Sequence, residues 1–255
     1  MSANDPSNHV TAIEKALTDI EIVRKYFHKD NVNEWDDVGN TPLILLIIHN
    51  DETIHLPEDL HKLWENKREI IRFFFQIGAK VTVTSKCGVT PLQHFLRYFH
   101  ESVCQVCIKT NKGRLDDDLL DDWRMMICLL TEHGADINAI NEEGITPLWY
   151  FIYKFLEFKH EDLILHYLSE VIKLLVGSFN ADFHRTDRKD RSPLEFTLHK
   201  LIENEAEEQT VFTYYLQRIV KYLAECTAIR SKTTVDAVLR RHNLTEKWKK
   251  CRSVQ

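Results

Sequence analysis

Residues 134–148 read GADINAINEEGITPL and contain two signals twelve residues apart: a glycine that can end a helix and a Thr-Pro-Leu that can begin one. We call the segment between two such signals a finger. The spacing occurs four times: in finger 1 (29–41, the weakest copy), finger 2 (78–90), finger 3 (134–146) and finger 4 (180–192). A sequence that repeats itself at intervals of tens of residues indicates stacked structural repeats, which bind other macromolecules more often than they catalyse reactions.

Glycine in this chain is placed where turns need it. Five of the seven glycines lie at the start of a finger or two residues before its end, at Gly39, Gly78, Gly88, Gly134 and Gly144. Asn180 and Asp190 take these two places in finger 4. Because Asn and Asp are the usual substitutes for glycine at positive φ, we predict positive φ at all seven positions. No glycine-rich phosphate-binding motif is present.

Each copy also predicts a pair of helices. The hydroxyl of Thr or Ser can cap the first helix, and the proline that follows fits its first position, where no amide donor is needed. The caps and their prolines are Thr41-Pro42, Thr90-Pro91, Thr146-Pro147 and Ser192-Pro193. An apolar periodic run, such as Ile70, Ile71, Phe74 and Phe75, predicts the second helix of a pair.

Turn, finger, cap and helix pair together resemble the ankyrin repeat family, most clearly at residues 134–139 and 144–148, and the resemblance covers about residues 20–225. It implies an all-α, ankyrin-like helical repeat solenoid of about four to five helix-turn-helix units joined by finger turns. We expect the repeat domain to span residues 1–230. Residues 231–255 are then expected to form a C-terminal pair of helices that caps the stack or docks a partner.

The chain departs from the family in three ways. Successive caps are 49, 56 and 46 residues apart, against about 33 in the family, so we expect longer helices or connections. The family has His after Thr-Pro-Leu; this chain has Ile44, Gln93, Trp149 and Glu195, so we expect the polar network of that His to be absent. Bulky residues such as Phe151 replace the small alanines of the family, which predicts wider helix spacing or a repacked core.

Composition sets the cellular context that we expect. The chain has 255 residues, 39 acidic and 33 basic, and its net charge of −6 argues against bulk nucleic-acid binding. Its six cysteines show no disulfide-framework spacing, which favours reduced thiols. No apolar run has the length of a membrane span, and the polar start at residues 1–8 does not resemble a secretory signal. We therefore expect an intracellular protein, cytoplasmic or nuclear or both, that is monomeric by itself.

One cluster could carry chemistry. His100, Cys104 and Cys107 are spaced to share one face of a helix and could hold zinc, but structural zinc takes four protein ligands and no fourth lies nearby. Buried cysteine is often a small hydrophobic residue. A Cys–His nucleophile and base would need an orienting third group, and none is recognisable. We predict no enzyme activity, no cofactor and no metal.

An acidic stretch in the longest insertion has two interpretations. Residues 109–122 contain Asp116, Asp117, Asp118, Asp121 and Asp122. The spacing lacks the alternation, central glycine and final Glu of a calcium loop. We interpret the stretch as a solvated loop that caps the following helix at its positive end, and binding to a basic partner surface is the alternative.

The resemblance implies that a partner binds along the concave side formed by finger tips and first helices. The candidate partner-binding residues at the tips are Asp36, Asp37, Ser85, Lys86, Asn141, Glu142, Glu143, Arg188, Lys189 and Arg191. Their charge is acidic in finger 1, mixed in finger 2, acidic in finger 3 and basic in finger 4, which suits a partner with its own order of charges. Because exposed turns are charged in most proteins, simple solvation is the competing explanation.

These observations predict a non-enzymatic, intracellular protein–protein interaction module that acts as an adaptor, scaffold or inhibitor for a protein partner of unknown identity. Two alternatives stay open. The chain could be the substrate-recruiting subunit of a ubiquitin ligase, with its C-terminal helices bound to the enzyme assembly. It could also be a pathogen or viral mimic of host ankyrin inhibitors, an idea that rests on the divergence of its repeats.

Overall fold

The computed structural model describes residues 12–13, 20–49, 57–110, 117–141, 144–204 and 210–230. The chain divides into two compact units, residues 1–144 and 145–255. No β-strand occurs within the described ranges, which consist of helices and connecting turns. The all-α prediction is confirmed for this part of the chain. Residues 231–255 lie outside it, so the C-terminal helix pair stays a prediction.

The helices of the first unit are α1 (Ile20–Tyr26), α2 (Pro42–Ile48), α3 (Pro57–Gln76), α4 (Pro91–Thr110) and α5 (Asp117–Glu132). The first helices of successive repeats, α2 and α4, pack together, and so do the second helices, α3 and α5. Helix α1 packs on α3 and is the second helix of the preceding repeat. The unit is therefore a stack of helix pairs, each entered through a finger.

The second unit repeats this plan with α6 (Pro147–Glu157), α7 (Asp162–Gly177), α8 (Pro193–Glu203) and α9 (Val211–Arg230). Helix α6 pairs with α7 and α8 pairs with α9, while α7 packs on α9 and α6 on α8. Both units thus have the ankyrin-like arrangement of finger, first helix and second helix that the resemblance implies.

The predicted helix starts are confirmed. Pro42, Pro91, Pro147 and Pro193 each occupy the first residue of a helix. The Thr146 hydroxyl accepts a hydrogen bond from the Trp149 amide at 3.4 Å. At Ser192 the cap is reciprocal, because its hydroxyl accepts from the Glu195 amide at 3.3 Å and the Glu195 carboxylate accepts from the Ser192 amide at 2.8 Å.

The predicted positive φ angles are confirmed at all seven positions, including the two that are not glycine, Asn180 (φ 56°) and Asp190 (φ 55°). Gly39 has a second reason to be glycine. A Cβ at this position would lie 2.3 Å from Cγ of Lys86, so the close approach of finger 2 also requires the missing side chain.

The longer repeat spacing is accommodated by longer helices. Helices α3 and α4 have 20 residues each, and bulky aromatic side chains are buried where they pack together. Trp64 of α3 packs with ring centroids 5.2 Å from Phe95 and 5.1 Å from Phe99 of α4, and all three rings are buried. Edge-on and tilted contacts of this kind stabilise a core beyond the area they bury.

Two of the four residues that stand where the family has His make a polar contact with the next finger. The Gln93 side-chain amide donates to the Ala139 carbonyl of finger 3 at 3.2 Å. The Trp149 indole N–H donates to the Arg185 carbonyl of finger 4 at 2.9 Å. Both carbonyls lie five residues after the first residue of their finger, so the two contacts are equivalent. Glutamine and tryptophan keep an N–H donor at this position, and each ties a first helix to the next finger.

Candidate protein-interaction surface

Fingers 1 and 2 lie side by side, and four hydrogen bonds hold them in register. The Asn33 side chain donates to the Gly78 carbonyl at 2.9 Å and accepts from the Lys80 amide at 2.8 Å. The Lys86 amide donates to the Gly39 carbonyl at 2.9 Å. The Trp35 indole N–H donates to the Thr84 carbonyl at 3.2 Å. The two turns therefore form one ordered surface.

Two of the predicted tip residues hold the turns themselves. The buried Asp36 carboxylate accepts from the Gly39 amide at 2.6 Å and from the Asn40 amide at 2.7 Å. The buried Ser85 hydroxyl accepts from the Val89 amide at 3.3 Å. Their side-chain oxygens are engaged inside the fingers, as is usual for Asp and Ser in turns.

The other two tip residues on these fingers, Asp37 and Lys86, are exposed. They lie beside apolar residues that the sequence analysis did not select: Trp35 is 51% exposed and Val38 is 78% exposed. A large apolar side chain inside a polar turn is the signal that could have identified them, because aromatic residues are enriched at interfaces.

An open groove of about 860 Å³ runs along this surface. Its lining residues are Asn33, Glu34, Trp35, Asp36, Asp37, Lys80, Val83 and Lys86. They all belong to fingers 1 and 2, so the groove is a product of the pairing of the two fingers.

The candidates in fingers 3 and 4 occupy different environments. The Asn141 carbonyl accepts from the Gly144 amide at 2.9 Å, and Glu142 and Glu143 lie outside the described residues. Arg188 and Lys189 are exposed. The half-buried Arg191 makes two hydrogen bonds to Asp187, at 2.9 and 2.7 Å, and lies 4.5 Å from the centre of the Phe196 ring.

The contact of Arg191 with Asp187 changes the acidity of the carboxyl group. Burial opposes ionisation of Asp187, but the Arg191 guanidinium and the amides of Arg191 and Lys189 outweigh it and lower the pKa. Arg191 thus stabilises finger 4.

The possible zinc cluster lies on α4 and is buried. His100, Cys104 and Cys107 are 2%, 7% and 8% exposed, and the Cys104 Sγ lies 3.5 Å from the His100 Nδ1. Across the described ranges, no group of three or more His, Cys, Asp or Glu side chains is arranged to hold a metal ion.

The interpretation of the acidic stretch as a solvated loop was wrong at Asp122. This residue lies on α5 and is fully buried, where its carboxylate accepts from the Arg68 guanidinium and contacts the His61 Nδ1 at 2.6 Å. Its neighbour Asp121 is exposed and pairs with Arg124 at 2.6 Å. Helical geometry turns adjacent residues to different faces, and sequence composition alone does not show which face is buried.

Sequence reasoning also missed Lys67, whose amine is buried at the end of α2. The Lys67 amine donates to the carbonyls of Ile47 at 3.1 Å and His49 at 2.6 Å, at the end of α2. It lies 4.3 Å from the centre of the Trp64 ring. Burial lowers the Lys67 pKa from 10.5 to about 7. The amine caps the helix carbonyls, and its role is structural.

Comparisons with known proteins give a likeness to a solved structure. No family model matches the sequence, and no curated protein matches it. Among solved structures, the chain is similar to the crystal structure of an ankyrin repeat protein, with a TM-score of 0.41 and 19% identity, over 85% of this chain and 98% of that one. Within the described residues, none of the helices is both long and apolar enough to cross a membrane.

Proposed function

We propose that this chain is a non-enzymatic, intracellular protein-interaction module, an adaptor, scaffold or inhibitor, that holds its partner against fingers 1 and 2 and the neighbouring first helices. The observation that carries the proposal is the exposure of Trp35 and Val38 on a surface that four hydrogen bonds keep in register. Exposed apolar side chains on a rigid, polar-rimmed surface are typical of binding sites.

Rigidity matters because a preformed surface loses less conformational entropy when it binds. The Trp35 indole N–H donates to the Thr84 carbonyl. This hydrogen bond favours one orientation of the exposed ring. Trp is among the residues that contribute most to interface affinity. Exposed charges around it, including Asp37 and Lys86, would select the partner and speed its approach.

Site-specific photocrosslinking tests this proposal. A photoreactive phenylalanine analogue replaces Val38 in one protein and Met125 in a matched control. Met125 is also exposed and apolar, but it lies on α5, a second helix. In lysate of the cells that express the chain, we expect position 38 to capture a discrete protein and position 125 to capture none. Equal capture at both positions, or none at 38, would contradict the proposal.

A further inference from the structure

We infer that the groove between fingers 1 and 2 binds a short peptide segment of the partner in which one apolar side chain is flanked by a basic residue on one side and an acidic residue on the other. This inference rests on the proposed function and specifies the chemistry of the partner. It depends on the charges and the apolar lining of the groove.

The two fingers contribute opposite charges to the groove, and we call the lining residues of each finger one wall. Finger 1 contributes the exposed carboxylates of Glu34 and Asp37, and finger 2 contributes the exposed amines of Lys80 and Lys86. No ion pair to any of these four side chains occurs in the part of the chain that the structure describes. The third acidic residue in the lining, Asp36, is occupied by two backbone amides. The groove therefore presents two unpaired charges of each sign.

A ligand that crosses the groove must meet both walls. A basic side chain is attracted to finger 1 and repelled by finger 2, and an acidic side chain behaves in the opposite way. A peptide with charges of only one sign would place like charges together at one wall, which disfavours binding. A segment with both signs satisfies both walls, and this condition also disfavours nucleic acid, whose phosphates would face Glu34 and Asp37.

Two apolar side chains also line the groove. Trp35 and the partly buried Val83 line it, and the Trp35 ring is held by the Thr84 carbonyl. The groove is open to solvent and has a volume of about 860 Å³. It accommodates one apolar side chain and its neighbours. Burial of that side chain against Trp35 would supply affinity, while the charged walls supply selectivity.

Selection of a random heptapeptide library displayed on phage tests the inference. The library is selected on the full chain and counter-selected on Trp35→Ala. We expect recovered sequences to share an apolar residue with one basic and one acidic residue on opposite sides, in either chain direction. We expect them to bind the full chain at least tenfold more tightly than they bind Trp35→Ala, with Met125→Ala unchanged. Circular dichroism checks that each variant is folded. If Trp35→Ala does not fold, Trp35→Phe takes its place in the binding comparison.

A charge swap provides the second arm. In Glu34→Lys/Asp37→Lys both walls are basic, so we expect selection to shift to acidic peptides with an apolar residue. Peptides recovered on the unmodified chain that are purely basic, purely acidic or without an apolar residue would overturn the inference, and so would peptides that bind folded Trp35→Ala as tightly as they bind the unmodified chain. Capture at position 38 together with such a result would leave the proposed function standing and remove this inference alone. Loss of both would remove both.

Discussion

The Asp122 carboxylate on α5 accepts a hydrogen bond from the Arg68 guanidinium on α3, and both side chains are buried. The contact joins the second helices of consecutive repeats, 54 residues apart in the chain. His61, about two turns earlier on the same face of α3, also contacts the Asp122 carboxylate, at 2.6 Å. The Arg68–Asp122 pair therefore links α3 to α5, and its removal should destabilise the first unit.

Asp122→Asn should lower the free energy of unfolding by about 3–5 kcal/mol, because it leaves the Arg68 cation buried without its counterion. Urea denaturation followed by circular dichroism measures the change. The matched control is Asp121→Asn, since Asp121 is exposed and pairs with the exposed Arg124. The control should change stability by less than about 1 kcal/mol. Similar losses of stability in both variants would show that the buried Arg68–Asp122 pair contributes no more to stability than the exposed Arg124–Asp121 pair.

Lys67 should make stability depend on pH. Its pKa is about 7 in the folded chain and about 10.4 in an unfolded one. Between these values the unfolded chain binds the proton and the folded chain does not, so the Lys67 contribution makes stability rise with pH by roughly 1 kcal/mol per pH unit. Below pH 7 both states are protonated and the contribution is constant.

Lys67→Met removes this rise. The stability of the unmodified chain minus that of the variant should increase from pH 7 to pH 9 in urea denaturation experiments. Lys62→Met is the control, because Lys62 lies on the same helix and is exposed. A difference for Lys67→Met that stays flat with pH would contradict the assigned burial effect.

Gly39→Ala should destabilise the chain more than Gly134→Ala does. Both positions have a φ of 97°, so each substitution places an L-residue in a left-handed conformation at about 1–2 kcal/mol. A Cβ at Gly134 meets nothing within 4 Å, whereas at Gly39 it would meet the Lys86 side chain. Thermal unfolding of the two variants compares them directly. An equal loss would mean that Lys86 moves aside freely.

Trp149→Phe should cost about 1 kcal/mol in hydrogen bonding, because the Phe ring keeps an aromatic face near Tyr153 and Phe196 but cannot donate to the Arg185 carbonyl. Amide hydrogen exchange should show faster exchange in finger 4 than in the unmodified chain. Unchanged exchange in finger 4 would show that the indole hydrogen bond does not hold it.

The local geometry of the repeats could be predicted from the sequence because it depends on a few neighbouring residues. Positive φ at Asn180 and Asp190 follows from the sterics of single residues, and the Ser192-Pro193 start follows from the orphan amides of a helix end. The spacing between caps predicted longer helices or connections, and α3 and α4 have 20 residues each.

Tertiary structure decided which side chains meet across long stretches of chain. Asp121 and Asp122 are chemically identical neighbours, and only the packing of α5 on α3 buries one and exposes the other. The donors of Gln93 and Trp149 reach carbonyls 46 and 36 residues away. The groove at Trp35 exists only because finger 2 lies beside finger 1. The sequence by itself determined the repeat and its turns, since backbone sterics are local. The groove came from the pairing of two fingers, which brings together residues that are distant in the chain.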